Sequence, residues 1–258
     1  MKSSEAETND WDGTDYRNDH SFVYEYGADV LALLDPHNDE RILDLGCGTG
    51  ELTRAISSEA ADVVGVDTSP EMLETARESD PECSFVCMDA RELSFETHFD
   101  AVFSNAMLHW ILDADQNQVL QNVHDVLASG GRFVGEMGGN GNVAAITNAV
   151  ERELTQRGYE FDHPWYFPSI GEYATRLEST GFEVRDAQLF DRPTELENGE
   201  DGLEAWLELF GDGLFAPLSS DEQDAVIAAV EDDLRDQYFR DGTWIADYRR
   251  LRFVAVAQ

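Results

Sequence analysis

The chain has 258 residues with 54 acids against 17 bases, a formal charge of −37. A field of that sign repels nucleic-acid phosphates and anionic lipid, so neither is an expected partner. An aromatic content of 10% with regular apolar periods argues against acidic disorder, and no apolar run reaches the ~18 residues of a spanning helix.

The acids are spread through the whole chain, and Lys2 is the only lysine. That pattern points to a halophilic protein, adapted to salt near about 1 M, where the Debye length falls to about 3 Å. Such a protein is expected to loosen when salt is removed. The acidic opening MKSSEAETNDWDGTD is the opposite of a signal peptide, so the expected compartment is the cytoplasm. Cys47, Cys83 and Cys87 are odd in number and complete no Cys/His set, so neither a disulfide framework nor a metal site is expected. The length suits one α/β domain with an insertion, or two domains.

Residues 22–34 (FVYEYGADVLALL) read as a helix leading into a sheet. From residue 41, β-branched runs alternate with helical periods, the pattern of a parallel sheet flanked by helices. Strands are predicted at 41–45, 62–67, 84–88, 99–104 and 132–136, with helices near 51–59, 70–78 and 116–127 between them. Val119, Leu120, Val123, Val126 and Leu127 give the last of these helices one apolar face, and Gly130-Gly131 is expected to end it. Further helices are predicted near 143–157 and 170–179, and a strand at 182–190. Residues 201–238 read as wholly helical, and 251–257 (LRFVAVA) as a last strand.

The first predicted strand runs into a glycine loop, ILDLGCGTG at 42–50. A dinucleotide fingerprint is GxGxxG, but here the glycines are Gly46, Gly48 and Gly50, and Glu51 stands where the third would be. A phosphate loop needs a lysine, and none is near. Glu51 at a helix start would also repel a pyrophosphate. The ligand of this loop is therefore expected to carry no phosphate. Cys47 reads as a space-filler within it.

With the loop, four further segments in order resemble the class I S-adenosylmethionine-dependent methyltransferases. These are VVGVDTSPEML (63–73), CMDA (87–90), FDAVFSNAMLHW (99–110) and LASGGRFVGE (127–136), the last with Ser129 where the family has proline. The resemblance implies a Rossmann-like sheet of seven mostly parallel strands, the last antiparallel. It implies S-adenosylmethionine as cofactor, with Asp67 on the ribose hydroxyls and Asp89 on the adenine amino group. Asp44 would orient the loop and reach the methionyl amino group. Gly46, Cys47, Gly48, Gly50, Thr68, Ala90, Asn105 and Ala106 would complete the cofactor site. Met72 and Met88 would either flank the purine or fill the core.

The segments SNAMLHW, HPWYFPSIGEYATRLESTGF (163–182), FDRPTELENGEDGLEAW (190–206) and ADYRRLRFVAVA (246–257) narrow the resemblance to the trans-aconitate methyltransferase-like subgroup. That implies a single domain over 1–258: a cap at 1–40 over the cofactor, a core at 41–137, and a helical lid at 193–247. The acceptor would be a small molecule, most plausibly methylated on a carboxylate or hydroxyl oxygen, with N- or C-methylation and a non-catalytic binding protein as alternatives. Candidate substrate-side residues are Trp110, Trp165, Tyr166, Arg192 and Phe22, with Tyr16 over the cofactor. His109 and His20 are the candidate bases, although His109 could equally cap the next helix. Arg192 could receive a substrate carboxylate or pair with Asp191 or Glu195.

Overall fold

A computed structural model describes residues 29–258. The seven-stranded sheet has the order β3-β2-β1-β4-β5-β10-β6. Its strands are β1 (Arg41–Leu45), β2 (Asp62–Asp67), β3 (Ser84–Cys87), β4 (Phe99–Asn105), β5 (Leu127–Gly138), β6 (Phe182–Asp191) and β10 (Arg249–Ala257). β1 pairs in parallel with β2 on one side and β4 on the other, as β2 does with β3 and β4 with β5. The sheet is mostly parallel and its last strand is antiparallel. The chain thus reverses its direction of winding between β1 and β4. Such a reversal opens a crevice at the carboxyl ends of those two strands.

Burial explains the composition of the central strands. β1 is RILDL with its last four residues buried, and β4 buries Phe99, Ala101, Val102 and Phe103. A strand covered on both faces reads as a continuous apolar run instead of an alternation. One face is filled by Ile42, Ile56, Val63, Phe103 and Val134, joined by Val30 and Leu34 from the segment before β1. That segment is pinned by Arg132, which donates to the Leu34 carbonyl at 2.7 Å and to both carboxylate oxygens of Glu40 at 2.6 and 2.7 Å. The guanidinium in turn holds the Glu40 carboxyl below its ordinary pKa.

The helices follow their expected positions: α1 (Glu51–Ser57), α2 (Pro70–Ser79), α3 (Gln116–Val126), α4 (Ala144–Gln156) and α5 (Ile170–Ser179). α2 begins at Ser69, whose hydroxyl accepts from the Met72 N–H at 3.2 Å, with Pro70 in the first helical position. Of the predicted 22–34 helix, residues 29–34 are helical and the remainder lies outside the described residues.

Three expectations are corrected. The stop after α3 is not at Gly130-Gly131: the helix ends at Val126 and β5 already starts at Leu127, taking both glycines into a strand whose pairing with β4 slips between Phe99 and Ala101. Residues 201–238 are not one helix but α6 (Gly202–Phe210), α7 (Asp212–Phe215) and α8 (Ser220–Tyr238). Pro217 cannot continue the run, and Ser219 restarts it by a reciprocal cap with Glu222. A second sheet was not foreseen at all. It has the order β7-β9-β8, from β7 (Thr194–Glu195), β8 (Phe239–Arg240) and β9 (Thr243–Ala246). β8 and β9 are joined by Asp241-Gly242, both at positive φ (54° and 89°), as a two-residue hairpin turn requires.

The chain groups into two compact units. The first runs to Met137 and includes Gly171–Ala187 and Arg252–Gln258. Within it, Phe133 meets Phe253 edge-on at 5.0 Å, and Tyr173 packs on Phe253 at 5.3 Å. The second holds Gly138–Ile170 and Gln188–Leu251, with an aromatic core of its own. There Trp165 stacks on Phe167 at 5.8 Å and meets Trp206 at 6.0 Å. Among the described residues no helix is long and apolar enough to cross a membrane.

Candidate active site

The crevice is floored by the loop after β1. The Gly46 and Cys47 N–H groups both donate to the Val66 carbonyl of β2, at 2.7 and 3.0 Å, and Gly50 closes back on the Cys47 carbonyl at 3.0 Å. Gly46 sits at φ +79°, and a Cβ there would lie 2.3 Å from the Met107 Cγ, so only glycine fits. Gly48 differs. It too has positive φ, but a Cβ there would meet nothing within 4 Å, so the loop leaves open room at its centre for a ligand to approach the backbone.

Three acids surround this floor, each in a different state. Asp67, at the end of β2, accepts from the Gly48 N–H at 2.9 Å and the Ser69 N–H at 3.0 Å, one bond on each carboxylate oxygen. Each oxygen keeps a further lone pair, which suits a vicinal diol. Asp44 is 2% exposed and accepts from the Thr53 hydroxyl at 2.6 Å. Burial is the main cause raising its pKa to about 7; Thr53 opposes it, and Asp67 and Glu51 add to it. Asp89 follows β3, where both oxygens accept from Arg91: the Arg91 N–H and Nε on Oδ1 at 2.8 and 3.0 Å, and Nη2 on Oδ2 at 2.5 Å. Arg91 holds that carboxyl below its ordinary pKa.

The other predicted cofactor-side residues fall around these three. Thr68 and Ala90 follow Asp67 and Asp89 directly, and the Thr68 carbonyl accepts from the Cys87 thiol at 3.5 Å. Met72 is buried in α2 at 4% exposure, which fits core filling better than a purine wall, whereas Met88 is half-buried and tied by its N–H to the Asp67 carbonyl at 3.0 Å. Cys47 is buried, and burial pushes its thiol well above the ordinary pKa. It fills space, as expected. Asn105 ends β4, and Ala106 beyond it takes φ +58° with its N–H on the Glu136 carbonyl at 2.8 Å.

His109 and Trp110 lie in a short turn, Leu108–Trp110, with their rings 5.6 Å apart. Asp115 occupies the position before α3. Gln116, a fully buried residue, helps hold the turn: its amide donates to the Leu108 carbonyl at 2.8 Å and the Ile111 carbonyl at 2.7 Å. Gln116, Thr53, Met107 and Arg91 had no signal in the sequence, since each acts through a neighbour fixed only by the fold.

Trp165, Tyr166 and Arg192 belong to the second unit. Trp165 and Tyr166 are 6% and 8% exposed, and the Arg192 guanidinium lies 5.0 Å over the Phe190 ring. Asp191, one of its expected partners, pairs with Arg249 at 3.1 Å. Tyr16, His20 and Phe22 fall outside the described residues.

The state of Asp44 gives a prediction. Its folded pKa of about 7 stands above the ordinary 3.8, so the stability that its protonated form contributes is complete below about 3.8 and is lost as pH rises through about 7. A cation placed beside it favours the ionised form. Titration with S-adenosylmethionine at pH 6 should therefore release most of one proton, and at pH 8 almost none. Calorimetry in two buffers of different ionisation enthalpy reads this directly. Equal heats in both at pH 6 would remove Asp44 from the ligand's cationic end.

A family model described as a methyltransferase domain matches residues 42–131, the stretch that carries all three acids. An uncharacterised methyltransferase of Schizosaccharomyces pombe is 35% identical over 257 residues, 95% of this chain and 97% of that one. A trans-aconitate 2-methyltransferase of an Enterobacter species is 32% identical over 160 residues, 61% of this chain and 62% of its own length. Among solved structures, the YcgJ protein of Bacillus subtilis superposes with a TM-score of 0.65 at 18% identity, covering 91% and 98% of the two chains. An S-adenosylmethionine-dependent methyltransferase of Mesorhizobium loti does so with 0.53 at 20%, covering 90% and 97%. At those identities the structures speak for the fold alone.

Proposed function

This chain belongs to the S-adenosylmethionine-dependent methyltransferases, and from that premise we propose that it methylates a carboxylate oxygen of a small organic acid. The observation that carries this reading is the 160-residue similarity to trans-aconitate 2-methyltransferase, which extends well beyond the matched domain.

The residues present fit the cofactor. The loop has room for a ligand against its backbone at Gly48, and Glu51 in the first turn of α1 disfavours phosphate. When bound, S-adenosylmethionine supplies an electrophilic methyl group on a sulfonium. In this reading Asp67 grips the ribose hydroxyls, Asp89 takes the adenine amino group and Asp44 faces the cationic tail. The acceptor's carboxylate oxygen would take that methyl group, giving a methyl ester, and the electron pair of the broken carbon–sulfur bond would stay on sulfur as S-adenosylhomocysteine.

A carboxylate is already ionised at neutral pH and needs no general base. The work left to the protein is alignment. That assigns His109 and Trp110 to the wall of the acceptor site, held in place by Gln116. Arg192 offers a fork that matches a carboxylate. The strongly negative chain disfavours nucleic acid as an acceptor. Its charge supports the reading of a protein adapted to high salt.

The test is methyl transfer from radiolabelled S-adenosylmethionine in molar KCl to panels of di- and tricarboxylic acids, amines and phenols. Label in the acid panel should be released as methanol by mild alkali, because esters hydrolyse there while N-methyl groups and aryl ethers do not. Alkali-stable label in the amine or phenol panel would overturn the oxygen-ester reading and leave the family assignment standing.

A further inference from the structure

The Arg91–Asp89 pair takes up most of what Asp89 has to offer. A carboxylate has about four lone-pair positions. Three Arg91 hydrogens meet them: Oδ1 accepts the backbone N–H at 2.8 Å, Oδ2 accepts Nη2 at 2.5 Å, and the single Nε–H is shared between the two oxygens at 3.0 and 3.1 Å. A donor arriving from a ligand therefore competes with the guanidinium for these oxygens. It gains a full bond when part of the guanidinium gives way.

The structure also supplies a second anchor for that guanidinium. Nη1 of Arg91 lies 3.4 Å from Oδ2 of Asp115, at the limit of hydrogen bonding and within ion-pair range. Asp115 immediately precedes α3, and α3 is fastened to the same turn by Asn122, whose amide donates to the Ala90 carbonyl at 3.0 Å. Backbone and helix are thus fixed, while the Arg91 side chain spans two acids at unequal distances. Sliding toward Asp115 exchanges one ion pair for another without stranding the charge.

We propose that Arg91 is a specificity-determining latch: its guanidinium and the amino group of the ligand's adenine compete for the same oxygens of Asp89, and Asp115 receives the guanidinium when the adenine wins. This rests on the reading of Asp89 as the base acceptor. A purine with an oxygen at the sixth position presents an acceptor there, so it takes bonds from Arg91 and gains nothing from Asp89. The latch therefore lowers affinity for adenine and softens discrimination against the oxo base.

Calorimetry with S-adenosylhomocysteine and S-inosylhomocysteine on the full chain in molar KCl tests this. Arg91→Ala should bind the adenosyl ligand about three- to fivefold more tightly, as loss of a partly exposed competing ion pair implies, and the inosyl ligand more weakly. Arg91→Lys, which keeps the charge but not the fork, should fall between it and the parent. Asp115→Asn, which removes the second anchor, should weaken the adenosyl ligand about twofold or more. Unchanged or weakened adenosyl binding in both Arg91 variants would overturn the latch, provided Asp89→Asn still weakens that ligand. Asp89→Asn binding as well as the parent would instead refute the base-acceptor reading itself, and no binding by the parent would refute the cofactor site.

Discussion

Arg252→Met should cost about 3–5 kcal/mol of folding stability, because it takes a close counter-ion from a buried charge. Arg252 in β10 donates through Nε at 2.9 Å and Nη2 at 2.6 Å to a single oxygen of Glu136 in β5, and the Glu136 side chain is 1% exposed. Taking away the guanidinium removes a close counter-ion from a buried carboxylate, and an entire domain is stable by only about 5–15 kcal/mol. The loss should be read from urea unfolding in molar KCl. Replacing both partners, Arg252→Met with Glu136→Leu, should recover most of it, since two apolar groups of similar size remove the desolvation problem together. A single variant within about 1 kcal/mol of the parent would mean that Glu136 is held by its other contacts, and the double variant would then show no recovery.

The cost is concentrated there because of where β5 ends. The Glu136 carbonyl receives the Ala106 N–H at 2.8 Å, so the strand that carries the ion pair also sets the bend from which the His109–Trp110 turn departs. Gly135 beside it packs against the Phe253 ring, 2.7 Å from where a Cβ would stand. A weakened β5–β10 pairing is therefore expected to loosen the acceptor side before the loop after β1.

Which parts of this were readable beforehand follows from how local each signal is. β1, β2, α2 and α5 were placed to within a residue, because continuous apolar runs, Pro70 after Ser69, and Gly181 past a helix end are local chemistry. β5 was started too late: glycines at 130 and 131 normally stop a helix, yet here α3 had already ended and the pairing partner β4 absorbed both with a slip in register. The hairpin at Asp241-Gly242 did carry a signal, an Asp-Gly pair between apolar residues, but the helical reading of the preceding segment overrode it. At the site, Asp44, Asp67 and Asp89 were legible as candidates through the motifs that resemble the family's. Arg91 was not. Its bond to Asp89 lies two residues away, yet its link to Asp115 spans 24 positions and exists only once α3 packs on the turn after β3.

Asp67→Ala should lower affinity for S-adenosylhomocysteine about a hundredfold or more, the largest loss expected of any single change on the cofactor side. Two effects add. The carboxylate would no longer accept from the ribose hydroxyls, each such charge-assisted bond being worth about 1.5–3 kcal/mol. The Gly48 and Ser69 N–H groups, 2.9 and 3.0 Å from its oxygens, would also lose their partner, so the glycine loop would no longer be pinned to the end of β2. The two contributions separate by changing the ligand instead of the protein. Against the parent, a 2′-deoxy form of the ligand loses only the ribose contact; against Asp67→Ala it should bind no worse than the ribose form. Asp67→Asn keeps one acceptor and turns an amide toward one of the two N–H groups, which repels a like donor, so it should fall nearer Ala than the parent. Should Asp67→Ala bind with the parent's affinity, or still discriminate the deoxy form, the diol is held by another residue and the loop is rigid without its carboxylate.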